Sequence, residues 1–205
     1  MNQRALILGA NGGIGSSCVK ELNNQGYDTH SITSKDLDLN FPENIFNFDL
    51  SSFDLLVNCT GHSQGTYLGF LNNSWQNQLG QITVNYISNL FLLKHYANSR
   101  SKGKYVWIST SLLSSGKRPF HSVYVSSKQA SKTAIDLIRT EATHIDILEI
   151  SVGPTKTGFR HRNFCGTKTQ TEVNSMYDQE SSHSPDYVAE QIVSAIKHNY
   201  QEIKI

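Results

Sequence analysis

The chain has 205 residues, a net charge of +1 and three cysteines, which suits one domain and excludes a basic field built for nucleic acid or an acidic membrane. No apolar run approaches the ~20 residues that span a bilayer, and the N-terminal run is too short for a signal peptide. Cys18, Cys59 and Cys165 lie far apart and form neither a metal-ligand spacing nor a paired framework, which points to a reducing, cytoplasmic setting with no metal.

Strand-like and helix-like segments alternate along the chain. The continuous apolar run Arg4 to Gly9 predicts a strand buried on both faces. Ile14, Cys18 and Leu22 then recur at four-residue steps, predicting a helix that stops at Gly26. Tyr27 to Ser34 and Phe53 to Asn58 read as further strands. A long helix is expected from about Ser74 to Asn98, with Leu79, Ile82, Tyr86 and Leu93 on its apolar side. Lys104 to Ser109 is a strand, Ser122 to about Glu141 a helix, and Ile145 to Ser151 a strand. Ser184, Pro185 and Asp186 open a last helix faced by Ala189, Ile192, Val193 and Ile196. The closing Glu202 to Ile205 suits a short final strand. The alternation implies an α/β architecture, a doubly wound parallel sheet with helices on both faces. It forms a single domain over residues 1–205, and the polar stretch Thr155 to Ser184 reads as a substrate-facing loop or lid.

Gly9, Gly13 and Gly15 stand between the first strand and the first helix. A tight turn there lets the backbone approach a pyrophosphate, and the helix N-terminus favours its charge. The spacing, Gly-x-x-x-Gly-x-Gly, resembles the short-chain dehydrogenase/reductase family, with Leu8 where relatives carry Thr. The resemblance implies a Rossmann-like fold and a dinucleotide held by Gly9, Asn11, Gly13, Ile14 and Gly15.

The residue about 20 positions past the glycine turn selects the dinucleotide. That place falls on Lys35, preceded by Thr33 and Ser34, which suits the 2′-phosphate of NADP. Asp36 next door and Gly12, where many NADP-dependent relatives carry a basic residue, keep NAD as the alternative. Asp38 with Leu39 matches the family's adenine-holding Asp-hydrophobic pair, with Asp49 and Leu50 as a rival. No room is left for a helix between the second strand and the next.

Asn58 and Gly61 match the family's Asn-Asn-Ala-Gly motif in part; Cys59 and Thr60 depart from it. Asn85, inside a helix where Asn is a poor helix former, corresponds to the Asn that carries a solvent-linked water in relatives. Ser111 lies 13 positions before Tyr124, the family's separation, with Ser109, Thr110, Ser114 and Ser115 as competitors. Tyr124 and Lys128 are one turn apart on a helix, so they share a face. A lysine ammonium and an oxidised nicotinamide would lower the Tyr pKa toward working pH, making it the general acid or base. Ser111 would bind the substrate oxygen, and Lys128 the nicotinamide ribose. Gly153 and Thr157 agree with the family's Pro-Gly-x-x-x-Thr, whose backbone and Thr meet the nicotinamide carboxamide.

The resemblance therefore implies hydride transfer between NADP(H) and a small carbonyl or alcohol substrate. A dinucleotide-binding sensor without turnover is the alternative. A sugar-nucleotide epimerase or reductase is disfavoured because no substrate domain follows Ser151. Arg160, His161, Arg162 and Lys168 make the lid basic, which would suit an anionic substrate as well as a solvated loop. His62 and Tyr67 could line the pocket. Relatives assemble as dimers or tetramers through the two long helices, where Leu92, Tyr96, Ile135 and Ile138 would either serve such a contact or belong to the core.

Overall fold

The computed structural model describes residues 2–116 and 119–205. Six strands form one parallel sheet: β1 (Arg4–Leu8), β2 (Asp28–Ile32), β3 (Leu55–Asn58), β4 (Gly103–Thr110), β5 (Ile145–Val152) and β6 (Glu202–Lys204). Their order is β2-β1-β3-β4-β5-β6, and every pairing is parallel. The helices are α1 (Gly13–Asn24), α2 (Gly69–Asn72), α3 (Trp75–Ile82), α4 (Ser88–Ser99), α5 (Ser122–Glu141), α6 (Phe159–Asn163), α7 (Gln170–Gln179) and α8 (Pro185–Lys197).

The sheet is apolar on both faces because its strands alternate between two cores. Ala5, Ile7, Val57, Val106, Leu148 and Ile150 face α1 and α8 through Cys18, Leu22, Ile192 and Val193. Leu6, Leu8, Leu56, Tyr105, Trp107 and Ile147 face the other way, toward Leu92, Leu93, Tyr96 and Ile135. Chain order reverses between β1 and β3, so the crevice that holds ligands in such sheets opens at the carboxyl ends of these strands. The glycine turn and Asn58 both lie there.

As expected, no helix-and-strand unit intervenes between β2 and β3. A 3-10 turn at Pro42–Asn47 spans the gap, and Leu37, Leu39, Ile45, Leu50 and Phe53 fill the second core from this segment.

Three expectations need correction. The long helix is broken by a π turn over Thr83–Ile87 between α3 and α4. The extra residue rotates the buried stripe, so Leu79 and Ile82 are 41% and 40% exposed while Gly80, Gln81 and Val84 turn inward. Leu92, Tyr96 and Ile135 are fully buried in the second core and cannot form a contact between chains. The outward apolar residues on these helices are instead Trp75, Leu79, Ile82 and Leu137.

The third correction concerns residues 155–184, which are not a plain loop. They hold α6 and α7 around a small core of Phe164, Val173 and Tyr177, with Tyr67 and Met176 against it. The sequence carried a signal for α7 in Thr169-x-x-Glu172 followed by Val173. The Thr169 hydroxyl accepts from the Glu172 N–H, and the Glu172 carboxylate accepts from the Thr169 N–H at 2.7 Å, a reciprocal capping box. Among the described residues, no helix is long and apolar enough to cross a membrane. None of their His, Cys, Asp or Glu side chains form a group of three that could hold a metal ion.

Candidate active site

The turn after β1 is shaped by what its glycines allow. Gly9 adopts a left-handed φ of 74°, and a Cβ there would lie 3.1 Å from the Cys59 carbonyl oxygen. A Cβ on Gly15 would lie 2.2 Å from the Gly9 carbonyl oxygen, so α1 can start this close to β1 only with glycine. No side chain caps α1. Its first N–H groups therefore form the anion-binding end of a helix, and the turn fits a diphosphate. Asn11 is exposed at its crest, whereas the Ile14 side chain packs into the first core. Thr157 presses its methyl group where a Gly13 side chain would stand, 2.4 Å from a Cβ built there. The turn and the lid thus meet directly.

Past β2 the chain turns through Thr33, Ser34 and Lys35, the last two exposed. Asp36 folds back: one carboxylate oxygen accepts from the Thr33 N–H at 2.9 Å and hydroxyl at 2.8 Å, which holds its carboxyl below the usual range. Lys35 keeps the outward place at the end of β2. Asp38 accepts from the Asn40 N–H at 2.9 Å, and neighbouring Leu39 is buried, its carbonyl accepting from the Ser88 hydroxyl at 2.6 Å.

At the end of β3, Asn58 is 2% exposed and its amide is used within the protein. It donates to Asn89 Oδ1 at 3.1 Å and to the Tyr105 hydroxyl at 3.2 Å, and it accepts from Thr60. Asn58 therefore shapes the strand end and turns its side chain away from the crevice. The neighbouring Cys18 thiol, together with burial, pushes the Cys59 thiol up. That contact between residues 41 positions apart was invisible in the spacing, but both remain unreactive apolar fillers.

Gly61 opens onto Asn85 Oδ1 and the Phe159 ring, 3.7 and 3.3 Å from a Cβ placed there. Asn85 sits in the π turn, a distortion frequent at functional sites. Its side chain clamps the next residue of the loop, accepting from the His62 N–H at 2.8 Å and donating to the His62 carbonyl at 2.9 Å. It also donates to the Ser127 hydroxyl at 3.1 Å. Its backbone carbonyl accepts from the Ser131 hydroxyl at 2.6 Å.

Tyr124 is 7% exposed and Lys128 3% exposed on the inner face of α5. Burial pushes the Tyr124 phenol up to about 12, and the nearby Thr110 side chain works against that. The expected lowering by Lys128 is not found. Burial depresses Lys128 to about 8, with Glu149 working against it. The Lys128 ammonium donates to the Ile108 carbonyl at 2.8 Å and lies 5.4 Å from the centre of the Trp107 ring. Beneath it, the buried Glu149 carboxylate accepts from Lys132 at 2.7 Å.

Thr110 ends β4 beside Tyr124. Ser111 begins the following 3-10 turn, with its Oγ 3.9 Å from a Cβ placed on Gly153. The Gly153 N–H donates to the carbonyl of Ile205 at 2.8 Å, so it serves the sheet edge.

The lid completes the site. The Phe159 ring lies 6.2 Å from the Tyr124 ring and packs over Gly61. Asn163 is hydrogen-bonded to Ser63, and Gly65 N–H donates to the Arg162 carbonyl at 3.2 Å, tying α6 to the loop after β3. Tyr67 stacks on Phe164 at 4.3 Å as part of the lid's own core. Burial and the facing Arg162 charge keep the His62 pKa below its ordinary range, with Asp38 opposing. Its buried Nε2 has no hydrogen-bond partner among the described residues.

A glycine turn at the switch point and a buried Tyr–Lys pair across the crevice define the class: an NAD(P)-binding Rossmann fold of the short-chain dehydrogenase/reductase type. Solved structures share the whole architecture. A small-chain dehydrogenase in complex with NADPH aligns with a TM-score of 0.86 at 18% identity, covering 100% of this chain and 97% of the other. An alcohol dehydrogenase from the archaeon Thermococcus sibiricus, complexed with 5-hydroxy-NADP, aligns at 0.80 and 18% identity, covering 100% and 96%. A 4-hydroxyisoleucine dehydrogenase complexed with NADH aligns at 0.80 and 21%, covering 100% and 97%. At such identities the likeness establishes the fold alone.

Residues 5–148 match the NAD dependent epimerase/dehydratase family, and the chain belongs to that family. The match covers the nucleotide-binding core and stops before the lid, so it leaves the substrate open. It also brings the chain into the epimerase branch that its short C-terminal part had argued against. No curated protein matches the sequence significantly.

Proposed function

We propose that this protein is an NADP(H)-dependent dehydrogenase/reductase acting on a small carbonyl or alcohol substrate. The observation that carries the reading is the buried Tyr124 phenol with Lys128 one turn away on the inner face of α5, beside a Thr110 side chain that works against the rise burial causes. When bound, the dinucleotide supplies or accepts the hydride. A phenol at about 12 is protonated at neutral pH, so Tyr124 is suited to give its proton to an alkoxide developing on the substrate. Thr110 takes the role that spacing gave to Ser111: it orients the phenol and donates to the same oxygen. Asn85 is a positioning residue that fixes the 61–63 loop against α5 through His62 and Ser127.

Ser34 and Lys35 at the end of β2 favour NADP, since a cation with a hydroxyl suits a 2′-phosphate and Asp36 is committed to Thr33. Glycines 9, 13 and 15, Asn11 and the Ile14 N–H hold the diphosphate, Asp38 and Leu39 the adenine, and Gly61, Gly153 and Thr157 the nicotinamide end.

The test is NADPH oxidation across ketones, aldehydes and quinones. Tyr124→Phe should retain NADPH binding and lose about 10²–10⁴-fold in kcat, the usual worth of general acid catalysis. Thr110→Ala should cost more than Ser111→Ala. NADPH binding without turnover on any substrate would favour a sensor instead.

A further inference from the structure

The basic residues of residues 155–184 looked equivalent in sequence, and the structure separates them. Arg160 forms two hydrogen bonds to the Glu180 carboxylate, at 2.8 and 2.9 Å, and lies over the Tyr177 ring. Lys156 is paired with Asp178 at 3.1 Å and Lys168 with Glu172 at 3.8 Å. Arg162 alone among these Lys and Arg side chains has no carboxylate within ion-pair distance among the described residues. Its guanidinium lies 5.5 Å from the centre of the Phe159 ring, and that ring is the one beside Tyr124 and over Gly61.

Arg162 is solvent-accessible, yet it is not a wandering surface chain. Its backbone carbonyl accepts from Gly65 and Cys165, and the next residue, Asn163, is buried against Ser63. The guanidinium is therefore aimed along the face of the lid that carries Phe159, and it acts on His62 across the crevice. Burial draws its pKa below the ordinary range, with Tyr177 working against that. An arginine fork held this way matches the oxygens of a carboxylate or phosphate.

We propose that Arg162 recognises an anionic group on the substrate, so that the preferred substrates are small carbonyl or alcohol compounds bearing a carboxylate or phosphate. This rests on the Tyr124 reading of the site. The reacting oxygen meets Tyr124 and Thr110, Phe159 covers the carbon chain, and the anion reaches Arg162 one ring further out.

Two matched pairs test it with NADPH: 4-oxopentanoate against its methyl ester, and dihydroxyacetone phosphate against dihydroxyacetone. On the wild type, the anionic member of at least one pair should have the lower KM, and which pair responds separates carboxylate from phosphate. Arg162→Gln should raise that KM about 10–100-fold, the worth of a charge-assisted hydrogen bond, and leave the neutral partner's KM and kcat unchanged. Arg160→Gln, which breaks the Glu180 pair, should lower the melting temperature without changing charge preference. Equal KM within both pairs, or equal effects of Arg162→Gln on both members, overturns the proposal. Thermal shift of the NADPH-loaded protein with the same four compounds reads the anion site without turnover. Stabilisation by an anionic member that is lost in Arg162→Gln, with no oxidation of NADPH, keeps the anion site and removes the dehydrogenase reading. No such stabilisation and no turnover removes both.

Discussion

Tyr124 and Lys128 are expensive residues to bury. Lys128 is 3% exposed, and its depressed pKa of about 8 measures the cost of keeping an ammonium there. Below pH 8 it is protonated in both folded and unfolded chains, and the penalty is present in full. Between about 8 and the ordinary lysine value of 10.5, the unfolded chain holds a proton that the folded chain has released, so stability rises with pH. Tyr124 acts oppositely, since an unfolded phenol ionises near 10 while the buried one waits until about 12, and stability falls across that interval. The Lys128 contribution is on the order of 3 kcal/mol. Lys128→Met should therefore stabilise the protein at pH 7 by roughly 1–3 kcal/mol, after the lost bond to the Ile108 carbonyl, while abolishing turnover. Urea melts at pH 7 and 9.5 should show a rise in stability for the wild type that the variant lacks.

At the scale of elements, junctions decide more than propensities. The β1–α1 junction tolerates no side chain at Gly15, where a Cβ would meet the Gly9 carbonyl at 2.2 Å, and the backbone must shift to accept one. Gly26, which ends α1 with a left-handed φ of 84°, has open space around it. Gly26→Ala should cost only the strain of that conformation, about 1 kcal/mol. Gly15→Ala should cost several times more and weaken NADPH binding as well; thermal melts and titration of cofactor fluorescence measure both. The π turn is the other decisive junction. A 3.6-residue period correctly implied helix from about Ser74 to Asn98, but it assigned the wrong face to α3 because the π turn rotates everything before it. Asn85, a poor helix former at the centre of that run, was the residue that marked the break.

On the scale of the whole molecule, stability is divided unevenly. The sheet carries two large cores, whereas α6 and α7 rest on Phe164, Val173 and Tyr177 with two partly buried neighbours. A segment with so few buried apolar contacts opens before the sheet does. Hydrogen exchange should find the amides of Val173–Gln179 exchanging at least ~10²-fold faster than those of β4 and β5. NADPH should slow the lid selectively, because Thr157 and Phe159 join it to the glycine turn and the Tyr124 wall. Equal protection in lid and sheet would mean that the whole chain opens as one unit.

The sequence by itself determined the parallel sheet, the glycine turn and the Tyr124–Lys128 pair. Those features are written in local periods: buried strands as apolar runs, a turn as glycines, a shared helix face as a four-residue step. Tertiary structure decided that Asn58 is buried in hydrogen bonds to Asn89 and Tyr105, that α6 and α7 gather on a small core of their own, and that Arg162, among the described residues, is left without a carboxylate. Each of these depends on which segments pack together across long separations, and on burial that raises a phenol and lowers an amine in the same crevice.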